Sequence, residues 1–240
     1  MNRRVEAAVL NNAGWCDAVC RAHGRPGEFL ANLWLNPRET PRFYPNAITL
    51  VAEEPAAQVE RIVAAFAEEA PRAAWAVKDS FRTLDLEPHG FRALFDAQWF
   101  WCAADVAARA VRLPGARSSR VRTPRGLEAW EAAWSAGQSG DRTRVFLPPL
   151  LDEPDIAVIA VERDEQLVAG AIGNRSGEVV GLSNFFAGTD DVESLLAECV
   201  ASVTTIFPGQ ALVSYDAGRD LEALLRLGCE TVGPLRVWVT

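Results

Sequence analysis

Lysine is nearly missing from this chain. Lys78 is the only one among 24 basic residues, which face 32 acidic residues in a length of 240. A GC-rich coding bias toward arginine explains the skew without chemistry. Positive charge is also short overall. The formal charge of −8 disfavours a nucleic-acid or anionic-membrane partner. No apolar run approaches the ~20 residues of a membrane helix. Met1-Asn2-Arg3-Arg4-Val5 has two arginines but no apolar stretch after them, so it does not read as a signal peptide. A cytoplasmic protein is expected. With 49% apolar and 23% charged residues, the chain is not short of core material. Its length suits one large domain or two small ones.

The five cysteines, Cys16, Cys20, Cys102, Cys199 and Cys229, are odd in number and spaced without a disulfide framework. Cys16 and Cys20 lie one helical turn apart with His23 close behind, three residue types that can ligate a metal. No second pair adds a fourth ligand at a familiar spacing, so small buried hydrophobes are the preferred reading and no metal is expected.

One boundary stands out. Residues 112–119, Arg-Leu-Pro-Gly-Ala-Arg-Ser-Ser, read as a linker between a domain at 1–111 and one at 120–240. Residues 120–123 form a short strand. Thr123 then caps a helix with Pro124 at its first position, placing Leu127, Trp130 and Trp134 on one face. Residues 155–161, 166–173 and 178–186 are strands separated by two short polar turns, an antiparallel meander. A helix at about 191–207, a strand at 211–215, an amphipathic helix with Leu221, Leu224, Leu225 and Leu227, Gly228 as its stop, and a terminal strand at 235–239 complete the domain.

This order of elements, across about half the chain, resembles the GNAT (Gcn5-related N-acetyltransferase) fold. The resemblance implies an α/β class (α+β, with a mixed sheet). It also implies acetyl-CoA or another acyl-CoA as the acyl donor, a small-molecule amine of unknown identity as acceptor, and N-acyl transfer as the activity. Homodimerisation is compatible with it. In that family the fourth strand, here 178–186, splays from the fifth, here 211–215, to admit the thioester arm. Phe185, Phe186, Ala187, Gly188 and Thr189 therefore become the expected cofactor contacts. Ser183 and Asn184, a polar pair interrupting an apolar strand, are candidates to bond the acyl carbonyl or the amine. A β-bulge or an outward face explains the pair equally well. Tyr215 is the candidate proton donor to the leaving thiolate, with Asp216 beside it. Its alternative is an ordinary strand-end tyrosine with a wet hydroxyl.

Two departures from the family stand out. Where a glycine-rich, arginine-bearing run normally cradles a pyrophosphate at a helix start, this chain has Ala187-Gly188-Thr189-Asp190-Asp191-Val192-Glu193. Where a tyrosine normally stands four residues before the last glycine, it has Leu224. These departures motivate the alternative of a catalytically degenerate GNAT-fold protein that binds a small ligand or a protein. Arg175, in the second polar turn, offers a phosphate contact, although a plain hairpin accounts for it.

Residues 1–40 suggest short helices and loops. Then follow a strand at 45–51, a helix at 55–70 with Val59, Ile62, Val63 and Phe66 on one face, and a strand at 75–81. Asp85-Leu86, a short helix, Gly90-Phe91 and an aromatic strand ending at Trp101 echo Asp220-Leu221, Gly228-Cys229 and Val237-Trp238. The echo implies a reduced GNAT-like module in this half, and so a tandem protein. Trp15, Trp34, Phe43, Tyr44 and Trp99 either line a pocket or pack a core, with the core favoured. His23 and His89 read as structural.

Overall fold

The computed structural model describes residues 2–69, 74–136, 143–189 and 191–240. The elements in chain order are α1 (Arg3–Ala22), β1 (Glu28–Phe29), β2 (Leu33–Leu35), β3 (Ala47–Thr49), α2 (Pro55–Glu69), β4 (Ala76–Asp79), a 3-10 turn (Glu87–His89), β5 (Arg92–Cys102), α3 (Ala104–Ala107) and β6 (Ala116–Arg120). They continue with α4 (Pro124–Trp134), a 3-10 turn (Pro148–Leu151), β7 (Ile156–Arg163), β8 (Gln166–Ser176), β9 (Val179–Ala187), α5 (Val192–Ile206), β10 (Ala211–Asp216), α6 (Gly218–Arg226) and β11 (Glu230–Val239). Packing divides the chain into an N-terminal unit, residues 1–99 with 232–240, and a C-terminal unit, residues 100–231. Both are α/β with mixed strand pairing.

In the N-terminal unit the strands run in the order β1-β2-β3-β4-β11-β5. β3 and β4 are parallel and joined by α2, and β11 is antiparallel to β4. Residues 3–22 form one 20-residue helix, which corrects the expectation of short helices and loops. Val5, Ala8, Val9, Trp15, Cys16 and Val19 recur at helical spacing and are buried. The Asn2 side chain caps the start by accepting from the Arg4 N–H at 3.1 Å. Gly14, which reads as a breaker, is simply accommodated in the helix interior. The buried Asp17 carboxylate accepts from the Gly27 N–H at 3.0 Å and from Trp34 Nε1 at 3.1 Å, pinning the following loop to the helix. Trp15, Trp34, Tyr44 and Trp99 are buried as a core reading requires, but Phe43 is 58% exposed at φ 72°. Lys78 is buried with Nζ 2.6 Å from Asn12 Oδ1.

In the C-terminal unit the order is β10-β9-β8-β7-β6, and β9 and β10 form its parallel pair, joined by α5. Gly170 and Gly173, three positions apart on β8, face opposite sides of the sheet. A Cβ on Gly173 would meet Val203 of α5, and one on Gly170 would lie 2.3 Å from Trp130 Nε1. On the first face Ala157, Ile159, Leu182 and Leu212 pack against Leu196, Val200 and Leu224. On the second, α4 buries Leu127 and Trp130, and Trp130 Nε1 donates to the Ile159 carbonyl at 2.7 Å. Thr123 caps α4 as its sequence position implies, its Oγ1 accepting from the Gly126 N–H at 3.1 Å.

Residues 112–119, expected as a linker, are tied into the C-terminal unit. β6 pairs with β7 throughout. Arg112 bonds Glu198 at 2.7 Å, Ser202 at 2.8 Å and Thr205 at 3.0 Å, all on α5, and the Leu113 N–H donates to the second Glu198 oxygen at 2.7 Å. The Pro-Gly pair turns the chain here without freeing it.

The chain runs twice through one succession of elements: β3–α2–β4, a turn, Gly90 and β5, then β9–α5–β10, α6, Gly228 and β11. Both glycines are left-handed, at φ 86° and φ 94°. In unit 1, however, the Thr49 hydroxyl accepts from the Ser80 N–H at 2.7 Å just past the ends of β3 and β4. The Asp79 carboxylate takes the N–H groups of Thr83 and Leu84 at 3.0 and 2.8 Å. The first bond ties the ends of that parallel pair together, and the other two fold the following connection back onto β4.

Candidate active site

The second parallel pair behaves differently. Val179, Val180 and Gly181 align with Ala211, Leu212 and Val213, and the register ends there. β9 nevertheless runs on to Ala187 and β10 to Asp216. The cause lies in the polar pair picked out in the sequence. Along β8, Ile172 aligns with Ser183 and Gly170 with Phe186, so Asn184 and Phe185 both oppose Ala171. This is a β-bulge, with Asn184 left-handed at φ 55°, a conformation that asparagine tolerates better than most side chains. A bulge bends its strand and raises the local twist, which accounts for β9 leaving β10 at that point.

Across the cleft, extending the register by two residues would set Ser183 level with Tyr215. Alternation along both strands puts them on the side opposite Leu182 and Leu212. Both are half-buried, as are Asn184 and Phe185. Of the expected cofactor contacts, Phe185 packs against the core that includes α5, while Phe186 turns to the other side, 5.3 Å from Trp130 ring to ring. Ala187 ends the strand. Gly188 and Thr189 are exposed, and the Gly188 N–H is committed to the Val168 carbonyl at 2.8 Å.

Asp216 is the residue whose chemistry sequence reading undervalued. Burial pushes its carboxyl up to about 6, with the neighbouring Asp220 charge adding and the Ala217 N–H, donating at 2.8 Å, opposing. Strand-end position beside a tyrosine was legible, but depth of burial was not. Leu224 is a core residue, 1% exposed, so α6 supplies no proton donor from that position.

At the start of α5 the Asp191 carboxylate caps the helix, accepting from the Ser194 N–H at 3.4 Å. Asp190 lies outside the described residues. Glu193 is neutralised by Arg226, with Nε 2.8 Å from its carboxylate. Arg226 comes from the last turn of α6, so the first turn of α5 does have a guanidinium beside it. Sequence reading missed it because it lies 33 residues downstream. Arg175 is held by Asp155 and stacks 5.5 Å from the Phe207 ring, which makes it part of the scaffold. All five cysteines are free and buried, and among the described residues no group of His, Cys, Asp and Glu is gathered for a metal. Burial pushes the Cys20 thiol up to about 12, consistent with an inert core residue. Among the described residues no helix is long and apolar enough to cross a membrane.

No protein-family model and no curated protein matches the sequence. Solved structures do match in fold. A functionally unknown conserved protein from Staphylococcus epidermidis ATCC 12228 superposes with a TM-score of 0.69 at 11% identity, over 89% of this chain and 92% of that one. A GCN5-related N-acetyltransferase from Kribbella flavida gives 0.62 at 16% identity, over 95% and 94%. Another from Sphaerobacter thermophilus gives 0.53 at 13% identity, over 99% and 93%. The chain has the fold of the GCN5-related N-acetyltransferases.

Proposed function

We propose that the C-terminal unit is an acyl-CoA-dependent N-acyltransferase that acts on a small amine. The observation that carries this reading is the end of the β9–β10 register at Gly181 and Val213, forced by the bulge at Asn184. Beyond that point the edge of β9 can offer backbone N–H and C=O groups to the amides of a pantetheine arm, which is the fit an acyl-CoA requires. Thr189 is available to its phosphates and Arg226, paired with Glu193, lies beside the helix start, while Asp191 opposes them. The net result is a site that grips the arm more firmly than the pyrophosphate.

The donor supplies an activated thioester carbonyl, and the chain's residues do the rest. Ser183 and the adjoining β9 backbone orient and polarise the carbonyl oxygen. Asp216, on the Leu212 side of β10 and so across the splayed strands from Ser183 and Tyr215, is ionised above about pH 6 and accepts the proton lost as an amine entering from that side bonds the carbonyl carbon. The carbon–sulfur bond then breaks, and the Tyr215 hydroxyl gives its proton to the leaving sulfur.

A second reading rests on the buried Leu224 and the Asp191 cap: a GNAT-fold protein that binds without transferring. Isothermal titration with acetyl-CoA and longer acyl-CoAs, followed by mass spectrometry of an amine panel, separates the two. Micromolar binding with acylated product supports transfer. Binding with no product from any amine supports the second reading, and no heat with any acyl-CoA removes the first.

A further inference from the structure

The N-terminal unit carries an open groove at the place where the C-terminal unit seats its own α6. Its volume is about 700 Å³, and it runs along α2 past Pro55, Ala56, Val59, Glu60, Val63, Ala64 and Ala67, with Thr83, Asp85 and His89 on its far side. Those α2 positions recur at i, i+4 and i+8. Apart from Glu60 they form an apolar stripe beside the face that buries Gln58 and Ile62. The far side is the β4–β5 connection. Its counterpart in the other unit is the β10–β11 connection, which holds α6.

The two connections differ by about one helical turn. Gly90 follows Asp85 by five positions, whereas Gly228 follows Asp220 by eight. Pro88 in the short version leaves only a three-residue 3-10 turn. In the C-terminal unit, α6 lays Ala223 and Leu224 into the core that α5 shares, and its Arg226 pairs with Glu193 on α5 at 2.8 Å. In the N-terminal unit the equivalent ground beside α2 is open, apolar at its floor and acidic at Glu60 and Asp85.

We propose that this groove docks an amphipathic helix of a partner protein, one with a narrow apolar face of small residues and leucine and an arginine in its last turn. α6 of the same chain is the template for that helix. The guest replaces the missing turn, packs its apolar face on Val59, Val63 and Ala64, and sets its arginine against Glu60 and Asp85. The surface is independent of acyl transfer, because none of the residues proposed for chemistry lies in it.

The probe is a fluorescein-labelled peptide of residues 217–229 carrying Cys229→Ser, titrated with the full chain and read by anisotropy. Saturable binding is expected. Ala64→Glu, at an exposed helical position, should weaken it at least tenfold with the thermal transition of the protein unchanged. Glu60→Arg should weaken the wild-type peptide, and a peptide carrying Arg226→Glu should recover affinity for that variant. Absence of saturable binding overturns the proposal, as does binding indifferent to Ala64→Glu. Self-association in sedimentation velocity that Ala64→Glu abolishes, with no peptide binding, assigns the groove to a second copy of the chain and also overturns it.

Discussion

Burial holds the Asp216 carboxyl near 6 instead of the ordinary 3.8, so the folded chain binds that proton more tightly than the unfolded one. The sign of the linkage follows. Below about pH 4 the carboxyl is protonated in both states and costs nothing. As pH rises from about 4 to 6 the folded state loses stability, and above 6 the full cost is present, on the order of 2–3 kcal/mol. Asp216→Asn should therefore raise the melting temperature at pH 7.5 and leave it unchanged at pH 3.5. If Asp216 is the proton acceptor, the same variant should lower kcat/KM by about 100-fold or more and remove the limb near pH 6 from the rate profile. An equal stability gain at both pH values would show that no buried charge is involved. Gly170 makes the contrasting case, a residue fixed by space alone. An added Cβ would lie 2.3 Å from Trp130 Nε1, 2.7 Å from Phe186 and 2.8 Å from the Ile159 carbonyl. Gly170→Ala should cost about 1–3 kcal/mol by overpacking, read as a shift in the urea midpoint, and should move the near-ultraviolet signal of Trp130.

Between residues and units stands α5, which carries the buried carboxylate of Glu198, 2% exposed and matched by the half-exposed Arg112. Arg112→Ala leaves that carboxylate without its cation, while the Leu113 N–H still donates to it. Discounting for the exposure of the arginine, a loss of about 2 kcal/mol is expected. Arg112→Ala combined with Glu198→Gln should recover part of it in a double-mutant cycle, and no coupling between the two would sink this account. This tie was invisible in sequence, since Pro114 and Gly115 signal a turn equally well in a free linker and in a docked one. The elements themselves were largely legible: the meander β7–β8–β9, the cap at Thr123 and the stop at Gly228 each rest on local chemistry that neighbours only reinforce. The 20-residue α1 was not, because Gly14, Asn11 and Asn12 dilute an apolar period that only tertiary burial makes decisive. The same limit applies at the site. Ser183 and Asn184 read equally as a bulge or as a polar contact, and only the register against β8 reveals that a bulge is present there. Arg226 reaches Glu193 across a strand and a turn, a distance no local pattern encodes.

At the scale of the molecule, the repeated β–α–β succession with its two left-handed glycines has an unequal outcome. In the first, Thr49 ties the ends of the parallel pair and the connection after it is about one helical turn shorter, while in the second the pair is bulged and its register ends early. One parallel pair thus ends its register early at a bulge, and beside the helix of the other lies an open apolar groove. The closing strand of the chain also belongs, by packing, to the first unit. Arg236, Val237, Trp238 and Val239 pair with Asp79, Lys78, Val77 and Ala76. Arg236 holds Asp96 at 2.6 and 2.8 Å, and Trp75 and Thr240 exchange bonds at 3.0 and 3.1 Å. Trp238 is 2% exposed in a core with Leu33, Val77 and Trp75. Ending the chain at Thr231 would expose the edge of β4 and empty the place of a buried tryptophan, a loss of at least 3–5 kcal/mol from one small unit. Hydrogen exchange on the truncated protein should show the amides of β2, β3 and β4 losing protection, while α5, β8 and β9 keep theirs. A peptide of residues 230–240 added in excess should restore the lost protection. Retention of slow exchange in β3 and β4 without that strand would mean that the first unit folds on residues 1–99 alone, and the pairing of β11 with β4 would then be a packing detail and not a condition of folding.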